Sequence, residues 1–493
     1  MTLPLADLLA ILPELVITAA ACLVLTLDPV TPATCKHWLA WMSIGALAVS
    51  FGVTATHMAE RQTAFSDLVV LDPYAGFWKL LLYVVSGLTI LLSLAYLKEE
   101  RIHLAEYYGF LLLSLVGMMV MVSGADLLTI YLGMELMSLS LYVLAGIKRA
   151  DGRSVEASAK YFVLGAFSSG LLLYGISLIF GVTGSTRLSA IALATHDQGL
   201  GNPGLLLGVL LLTVGFGFKI AAVPFHMWTP DVYEGSPTSV TAFMAVASKA
   251  ASFGAFVRVF LDGLGGFKGD WYLLVLAICV ATLALGNLVA IVQTNIKRML
   301  AYSSIAHAGY ALIGVVVAGM PGVPEAVRAR GLSSMMLYLT IYAFMTLGAF
   351  AVVGLLRKGV LEGETIDDFT GLAKRQPVVA FLMLVFMVSL AGIPPTAGFI
   401  GKFYLFSAAV EAGLAWLAVV ALLFAVVSAY YYLRVVMVMY MRDPDHMAAP
   451  IPRLAPSPIM AVVLASTLGG VILFGLYPGP LATLAAHAVL ILK

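Results

Sequence analysis

Stretches of about 20 consecutive apolar residues recur along the whole length of this 493-residue chain, and a stretch of that length crosses the hydrocarbon core of a membrane as a helix. Because backbone polar groups at that depth must pair within the chain, only helices or a closed barrel can span a membrane. The runs are continuously apolar rather than alternating every second residue, which favours helices. Hydrophobic residues make up 61% of the chain and charged residues 11%, far from the composition of soluble domains. We therefore predict an all-α polytopic membrane protein.

The apolar runs predict about fourteen membrane spans, numbered in chain order. Spans 7 and 12 carry prolines near their middles, Pro224 in the first and Pro394 and Pro395 in the second. Proline removes a backbone donor, so both spans are predicted to be discontinuous helices. The predicted spans are 7–27, 38–58, 74–97, 107–123, 125–147, 157–181, 204–228, 237–260, 271–293, 301–319, 333–356, 377–410, 412–441 and 458–477.

The two interrupted spans lie five spans apart. Since five is an odd offset, we expect spans 4–8 and spans 9–13 to be five-helix repeats related by an inversion across the membrane. The chain then divides into four segments: an N-terminal three-helix segment (1–106), a first inverted repeat (107–260), a second inverted repeat (261–441) and a C-terminal helix (442–493).

The distribution of lysine and arginine between the loops predicts the orientation. About twice as many of them fall in loops of one side as in loops of the other, and basic residues favour the inside. This bias predicts that both termini lie outside. Arg258, at the end of span 8, is counted with the outside segments.

Several charged residues fall within the predicted spans. A charge at the centre of a membrane helix costs about 2.5–3.5 kcal/mol on insertion scales, so such residues are expected to serve a function or to be paired. They are Lys79, Glu135, Lys160, Lys219, Lys249, Lys402 and Arg434.

These charged residues differ in their distance from the span ends. Lys79 and Arg434 lie near ends and are expected to extend to the interface, and Lys160 is open to either interpretation. Glu135, Lys219, Lys249 and Lys402 lie too deep for that. They form either structural ion pairs or a line of groups that relays protons, as in pumps and transporters, and the sequence favours the relay.

Two histidines extend the polar line. His226 follows Pro224 closely, and His307 lies in span 10 among the hydroxyl residues of YSSIAHAGY. A lone histidine in a helix is more often a satisfied hydrogen-bonding residue, but the two together make a polar path plausible. Asp231 and Glu234 fall in the following inside loop and are expected to shape its inlet or to cap the next helix.

The sequence excludes several other functions. The formal net charge of +1 does not favour nucleic acid as a partner. Cys22, Cys35 and Cys279 are far apart and match no metal or iron–sulfur spacing. With no cofactor expected on this chain, any redox reaction that drives ion movement must occur on another polypeptide.

Three segments resemble a known family. GFGFKIAAVPFHMWTPDVYEGSPTSVTAFMAVASKAASFG, NIKRMLAYSSIAHAGY and SLAGIPPTAGFIGKFYLF look like the antiporter-like membrane subunits of respiratory complex I, and most like its subunit N type. M-type chains are expected to carry a glutamate where this chain has Lys402, and L-type chains are longer. The resemblance covers nearly the whole chain.

The resemblance implies a half-channel mechanism. Glu135 would pair with Lys219, Lys249 would be the central relay, and Lys402 would lie on the path to or from the outer face. Lys160, His226 and His307 match further polar positions of the same axis, and together these residues would move protons.

The resemblance also implies what surrounds the chain. Electron transfer from NADH to quinone would occur on partner subunits that hold FMN and iron–sulfur clusters. K-type and M-type membrane subunits would be lateral neighbours in the bilayer, and the location would be the bacterial inner membrane.

Two alternatives remain open. One is a sodium/proton antiporter subunit of the same fold, driven by an ion gradient. The other is a structural subunit whose buried charges only hold helices together.

Overall fold

The structure is a computed structural model that describes residues 5–32, 35–58, 61–100, 104–195, 201–356, 364–443 and 456–489. Within these residues, twelve helices are long and apolar enough to cross a membrane. They are Leu12–Val30, His37–His57, Pro73–Lys98, Glu106–Ser123, Leu127–Ala145, Gly152–Thr183, Thr238–Gly263, Trp271–Ala290, Ile296–Gly319, Glu325–Leu356, Ala415–Met441 and Pro458–Leu476.

Two further spans are broken helices. Span 7 consists of Pro203–Lys219 and Trp228–Gly235, and span 12 consists of Pro377–Ala391 and Ala397–Glu411. Added to the twelve continuous helices, they give fourteen spans in the described residues, so the predicted all-α polytopic fold is confirmed. The breaks fall at the prolines that predicted them, and each contains a cis peptide bond before a proline.

Side chains satisfy backbone groups that the break in span 7 releases. Trp228 Nε1 donates to the Phe218 carbonyl at 2.9 Å, across the break. The backbone nitrogen of Val223 donates to Thr282 Oγ1 at 3.0 Å. Irregular backbone is tolerated at membrane depth only where protein or water covers it, and here protein does so.

The helix starts agree with capping chemistry. Asp72 begins span 3 and accepts a hydrogen bond from the backbone nitrogen of Ala75 at 2.7 Å. Asp126 begins span 5 in the same way, with Leu128 and Thr129 as donors. Side-chain oxygens at this position satisfy amides that the first helical turn leaves free.

The remaining elements are short. A two-stranded antiparallel hairpin pairs Gln62–Ala64 with Val69–Leu71. The other short helices are Leu5–Ala10, Asp28–Val30, Leu188–Thr195, Gly265–Phe267, Ile366–Phe369, Leu372–Arg375 and Gly479–Val489.

The loops gather at two faces. At the face where the first helix begins, called the N-terminal face, Val69 bridges to Gly124 and Asp126 bridges to Arg187. At the opposite face, Asn295 bridges to Thr365. These contacts match the alternation of direction that consecutive spans require.

Spans 8, 10 and 11 form the centre of the protein and are almost entirely buried by their neighbours. Span 8 is irregular: it runs α-helical over Thr238–Phe243, π-helical over Met244–Ser248, α-helical over Lys249–Val257 and π-helical over Arg258–Gly263. Short π-helical segments occur frequently at functional sites. Lys249 directly follows one of them.

Several details differ from the sequence-based prediction. Span 11 begins at Glu325 rather than at 333, since its polar first turns still form helix. Arg258, counted as outside, is buried inside span 8. Of the basic residues behind the orientation, Arg101, Arg357, Lys358, Arg453 and Lys493 lie outside the described residues.

Candidate functional site

Lys219 is the last residue of the first half of span 7, and its side chain is buried. Its amine donates a 2.6 Å hydrogen bond to Ser138 Oγ in span 5. Glu135 lies one turn before Ser138 and accepts a hydrogen bond from Ser169 in span 6. In the described structure the expected contact between Glu135 and Lys219 is not direct, but the carboxylate lies within Coulombic range of the amine.

Lys249 sits at the centre of the protein with only 1% of its surface exposed. Its amine donates to two oxygens of Ser304 in span 10, the carbonyl at 2.6 Å and Oγ at 2.5 Å. Tyr342 in span 11 donates to the same Oγ at 2.8 Å. Among the described residues, every hydrogen-bond acceptor of this amine is neutral.

His307 continues the polar line one turn after Ser304. Its Nδ1 lies 2.6 Å from the hydroxyl of Tyr338, and its Nε2 lies 3.1 Å from the hydroxyl of Tyr432. The Tyr342 ring packs on the imidazole, with ring centroids 4.8 Å apart. The imidazole therefore lies between the Lys249 group and the hydroxyls of spans 11 and 13.

Lys402, in the second half of span 12, is the last residue of the polar line. Its buried amine donates to the carbonyls of Leu390 at 3.1 Å and Ala391 at 2.8 Å, which are the last residues of the first half-helix. The C-terminus of a helix carries partial negative charge and favours a cation there. The amine also lies 4.9 Å from the centre of the Tyr310 ring, a favourable cation–π distance.

The polar line is continuous from Lys249 to His307. From Lys249 through Ser304, Tyr342 and His307, neighbouring polar groups are linked by hydrogen bonds or ring contact. This connection ends at His307 and its tyrosine partners, because the described residues supply no hydrogen bond from them to Lys402. Between Lys219 and Lys249, the described side chains supply no hydrogen bond either. A proton crossing that interval requires water or a side-chain movement.

Lys160 and His226 lie apart from this line. Lys160 is on the exposed side of span 6, where its amine binds Glu156 and Asp231, each at 2.8 Å. His226 is half-buried in the break of span 7. Its Nδ1 is buried and has no hydrogen-bond partner among the described residues.

Asp231 and Glu234 lie in the second half of span 7 and bind basic residues. Arg298, in the first turn of span 10, contacts Asp231 at 2.7 Å and Glu234 at 2.9 Å. The side chain of Lys297 is buried and donates to the backbone carbonyls of Glu234 and Ser236. The expected role in shaping an inlet is compatible with a neighbouring cavity of ≈ 240 Å³ that both carboxylates and Lys160 line.

The sequence-based prediction did not identify two buried ion pairs. Lys79 does not extend to the interface as expected: its side chain is 4% exposed and its amine binds Glu14 in span 1 at 2.6 Å. Arg258 binds Asp72 with both terminal nitrogens, at 3.0 and 2.9 Å. Glu14 could have been found as a carboxylate inside an apolar run, but nothing in the sequence identifies its partner.

The sequence also missed the tyrosines of the central line. Tyr338, Tyr342 and Tyr432 are buried and surround His307, although they lie in different spans from it. Tyrosine is common in membrane helices, so only the spatial arrangement distinguishes these three. Arg434 agrees with its predicted place at a span end, where it donates to the carbonyls of Ile291 and Gln293.

In the described part of the chain, no group of three or more histidine, cysteine, aspartate or glutamate side chains is arranged to hold a metal ion. Cys22 and Cys279 are free thiols. The buried amines, carboxylates, imidazole and hydroxyls described above can hold protons and transfer them.

Comparison with known proteins gives consistent matches. Residues 124–428 match the family described as NADH:quinone oxidoreductase/Mrp antiporter, TM. NADH-quinone oxidoreductase subunit N 2 of Rhizobium meliloti is 47% identical over 97% of this chain and 97% of its own length. Subunit N of Trichlorobacter lovleyi is 45% identical over 98% of this chain and 97% of its own length.

A solved structure shares the fold. A chain of respiratory complex I from Thermus thermophilus superimposes with a TM-score of 0.79 at 31% sequence identity. The match covers 96% of this chain and 99% of the other. The similarity therefore extends over the three-helix N-terminal segment and the C-terminal helix as well as the central spans.

Proposed function

This chain belongs to the subunit N family of the NADH–quinone oxidoreductases, and from that membership we propose how its buried groups carry protons. It is a proton-translocating membrane subunit of that translocase, coupled to electron transfer from NADH to quinone on other subunits. The catalytic contribution of this chain is the movement of protons through spans 5, 7, 8, 10 and 12.

The proposed relay consists of Glu135, Lys219, Lys249 and Lys402, with His307 between the last two. Lys249 is its central member. When its amine is protonated, Ser304 stabilises the ammonium through two oxygens. Transfer towards Lys402 passes the hydroxyls and the imidazole that lie between them.

One observation carries this proposal above all. Lys249 and Lys402 are 1% and 4% exposed as whole residues, and the described acceptors of both amines are neutral oxygens. A purely structural buried cation is expected to have an anionic partner, because an uncompensated charge in a low-dielectric interior is costly. Neutral acceptors hold either charge state, which suits a group that gains and loses a proton.

Lys219 has a different task in this scheme. The amine of Lys219 donates a hydrogen bond to Ser138, and the carboxylate of Glu135 attracts this amine without contacting it directly. A shift of Glu135 or Lys219 by a rotamer would strengthen or weaken that attraction and change how tightly Lys219 holds its proton. We propose that this pair transmits the state of the neighbouring subunit.

Lys160 and His226 are proposed as peripheral members of the relay. Lys160 belongs to the ion cluster with Asp231 at the face opposite the N-terminal face. His226 stands in the break between the two halves of span 7. Protons entering from that face would meet this cluster first.

We propose that the segments 107–260 and 261–441 are the two inverted repeats, flanked by 1–106 and 442–493. Two broken spans five spans apart support this division. We also propose that both termini face the outside of a bacterial inner membrane, because the loops of the N-terminal face carry fewer basic residues.

The partners follow from the family. We propose that K-type and M-type membrane subunits are lateral neighbours and that FMN, iron–sulfur clusters and quinone belong to other subunits. Apolar side chains exposed along span 6, such as Phe162, Val163 and Phe167, offer a surface that lipid or a neighbouring helix would cover.

A test of the relay replaces Lys219 by alanine. Proton pumping in vesicles, and coupled quinone reduction with it, should fall while the complex still assembles. Lys374→Ala is the matched control, because Lys374 is an exposed lysine whose partner is the exposed Asp443. Unchanged pumping by an assembled Lys219→Ala complex would contradict the proposal.

The second candidate is a sodium/proton antiporter subunit, because the family that matches residues 124–428 also includes Mrp antiporters. The native assembly distinguishes the two. Flavin and iron–sulfur absorbance in the purified assembly would support the oxidoreductase, whereas a colourless, sodium-dependent assembly would support the antiporter.

A further inference from the structure

A buried ion pair lies in the N-terminal three helices, away from the relay. Lys79 in span 3 binds Glu14 in span 1, with Nζ 2.6 Å from Oε1, and the two side chains are 4% and 7% exposed. Removing one partner of such a pair leaves an uncompensated charge, and replacing both with neutral groups is often tolerated. Stability alone therefore does not require this pair.

The carboxylate of Glu14 is only partly satisfied. Its Oε2 is buried and has no hydrogen-bond partner among the described residues. An ionised carboxylate offers about four acceptor positions, and most buried side-chain polar atoms in proteins have at least one hydrogen-bond partner. An unfilled buried oxygen is suited to accept a proton or to bind a water molecule.

A small cavity adjoins the pair. Its volume is ≈ 20 Å³, which is enough for one water molecule. Lys79, Asp72, Thr54 and His57 are among its lining residues. A water in this cavity would therefore lie among residues that carry polar side chains.

Asp72 in turn is held by Arg258. The guanidinium makes two hydrogen bonds to this carboxylate and one to the Val122 carbonyl at 3.1 Å. Both charged side chains are 2% exposed. Since arginine remains protonated, this pair is a fixed charge arrangement rather than a proton carrier.

Beyond Arg258 a large cavity opens at the N-terminal face. Its volume is ≈ 1070 Å³, and Arg258, Asp262, Arg61 and Asp67 are among its lining residues. Charged residues of both signs line it, which suits water better than an anion or an apolar ligand. Polar groups thus lead stepwise from Glu14 to this face.

We propose that the Glu14–Lys79 pair is a second proton-exchange site of this subunit, which exchanges protons with water in the small cavity, and that the water route to the N-terminal face runs past the fixed Asp72–Arg258 pair. The inference rests on the proposed proton-translocating function. Moving one proton along the 2.6 Å bond from Nζ to Oε1 turns ammonium and carboxylate into amine and carboxylic acid, and the total charge stays zero. The amine then takes a proton from a protonated water in the small cavity, which leaves as neutral water, and the carboxylic acid gives its proton to a water at its Oε2. Ammonium and carboxylate are restored, and one proton has moved through the pair.

This site is separate from the central relay. Arg258 lies nine residues after Lys249 on span 8, an axial distance of about 13 Å. Tyr74 contacts span 8 between these two residues, where its hydroxyl donates to the Gly254 carbonyl at 3.0 Å. Arg258, which binds Asp72, shares span 8 with Lys249, and the described residues supply no hydrogen-bonded connection between the Glu14–Lys79 pair and the central relay.

The test uses the complete complex in vesicles and compares two matched double variants. Glu14→Gln/Lys79→Met replaces the buried pair with uncharged side chains of similar size. Glu411→Gln/Arg330→Met makes the same kind of change in an exposed pair near the N-terminal face. Protons pumped per NADH oxidised should fall several-fold in the first variant and equal the wild-type value in the second.

A wild-type ratio in an assembled Glu14→Gln/Lys79→Met complex would overturn the inference, since a structural pair is dispensable once both charges are removed. If Lys219→Ala lowers pumping in the same assay, only this inference fails and the proposed relay stands.

A second measurement needs no variant. A hydrophobic carbodiimide reacts with protonated carboxyl groups in apolar surroundings, and mass spectrometry locates the modified residue. The wild-type complex should be labelled at Glu14, with an extent that changes during turnover. Glu14 that stays unlabelled at every pH and during turnover would overturn the proposal.

Discussion

At the scale of single residues, Lys249 illustrates how a buried amine is held without an acidic partner. Two oxygens of Ser304 accept its hydrogen bonds, and Tyr342 donates to one of them. The sequence places Lys249 at depth but not Ser304 and Tyr342 beside it, because they come from spans 10 and 11. Lys79 gives a second example. It was expected to extend to the interface, but it is buried against Glu14, and the sequence does not identify this partner because it lies 65 positions earlier in the chain.

Removal of the Tyr342 hydroxyl tests the connection between Lys249 and His307. Tyr342→Phe keeps the ring on His307 but deletes the hydrogen bond to Ser304. We expect a several-fold lower pumping rate in vesicles with normal assembly. Tyr174→Phe, at an exposed tyrosine of span 6, should behave as wild type, and equal rates for both variants would exclude Tyr342 from the path.

At the scale of the elements, the prolines of spans 7 and 12 were sufficient to predict both breaks. A missing backbone donor is a local property, and the sequence reports it directly. The packing of the half-helices is not local. Lys402 binds the carbonyls that end the first half of span 12, and no spacing rule predicts that its side chain reaches back across the break. The sequence of span 8 likewise carries no local signal, such as a proline, that predicts its π-helical segments.

The break of span 12 depends on close contact at Gly398. A Cβ atom there would lie 1.7 Å from the Ser389 carbonyl oxygen, so Gly398→Ala must push the half-helices apart. Overpacking of this kind costs about 1–3 kcal/mol. We expect a lower thermal stability of the purified complex and slower coupled quinone reduction.

Gly469 in span 14 provides the control, because a Cβ atom there meets open space. Gly469→Ala should leave both quantities unchanged or raise the stability slightly. If Gly398→Ala matched this control, the tight junction of the two half-helices would be refuted.

At the scale of the whole molecule, ion pairs at the face opposite the N-terminal face join the two proposed repeats. Arg298 of span 10 binds Asp231 and Glu234 of span 7, and Arg153 of span 6 binds Glu364 at 2.6 Å. Ion pairs that are partly open to solvent, like these, contribute little stability singly. Their position suggests a role in fixing how the second half of span 7 sits against span 10.

Arg298→Ala would remove the ion pairs of Arg298 with both carboxylates at once, while Lys160 would still bind Asp231. We expect this variant to assemble, because the buried apolar core is untouched, and to pump more slowly than wild type. Arg442→Ala, which removes an exposed pair with Asp367, is the comparison. If the Arg298→Ala complex pumped as fast as the Arg442→Ala complex, the contact between span 10 and the second half of span 7 would have no role in pumping.

The central claim is that buried lysines change their protonation during turnover. Redox-triggered infrared difference spectra of the complex, with and without ¹⁵N-labelled lysine, measure this directly. We predict ¹⁵N-sensitive lysine bands in the wild-type spectrum and their reduction in Lys249→Ala. A wild-type difference spectrum with no ¹⁵N-sensitive lysine band would contradict the claim.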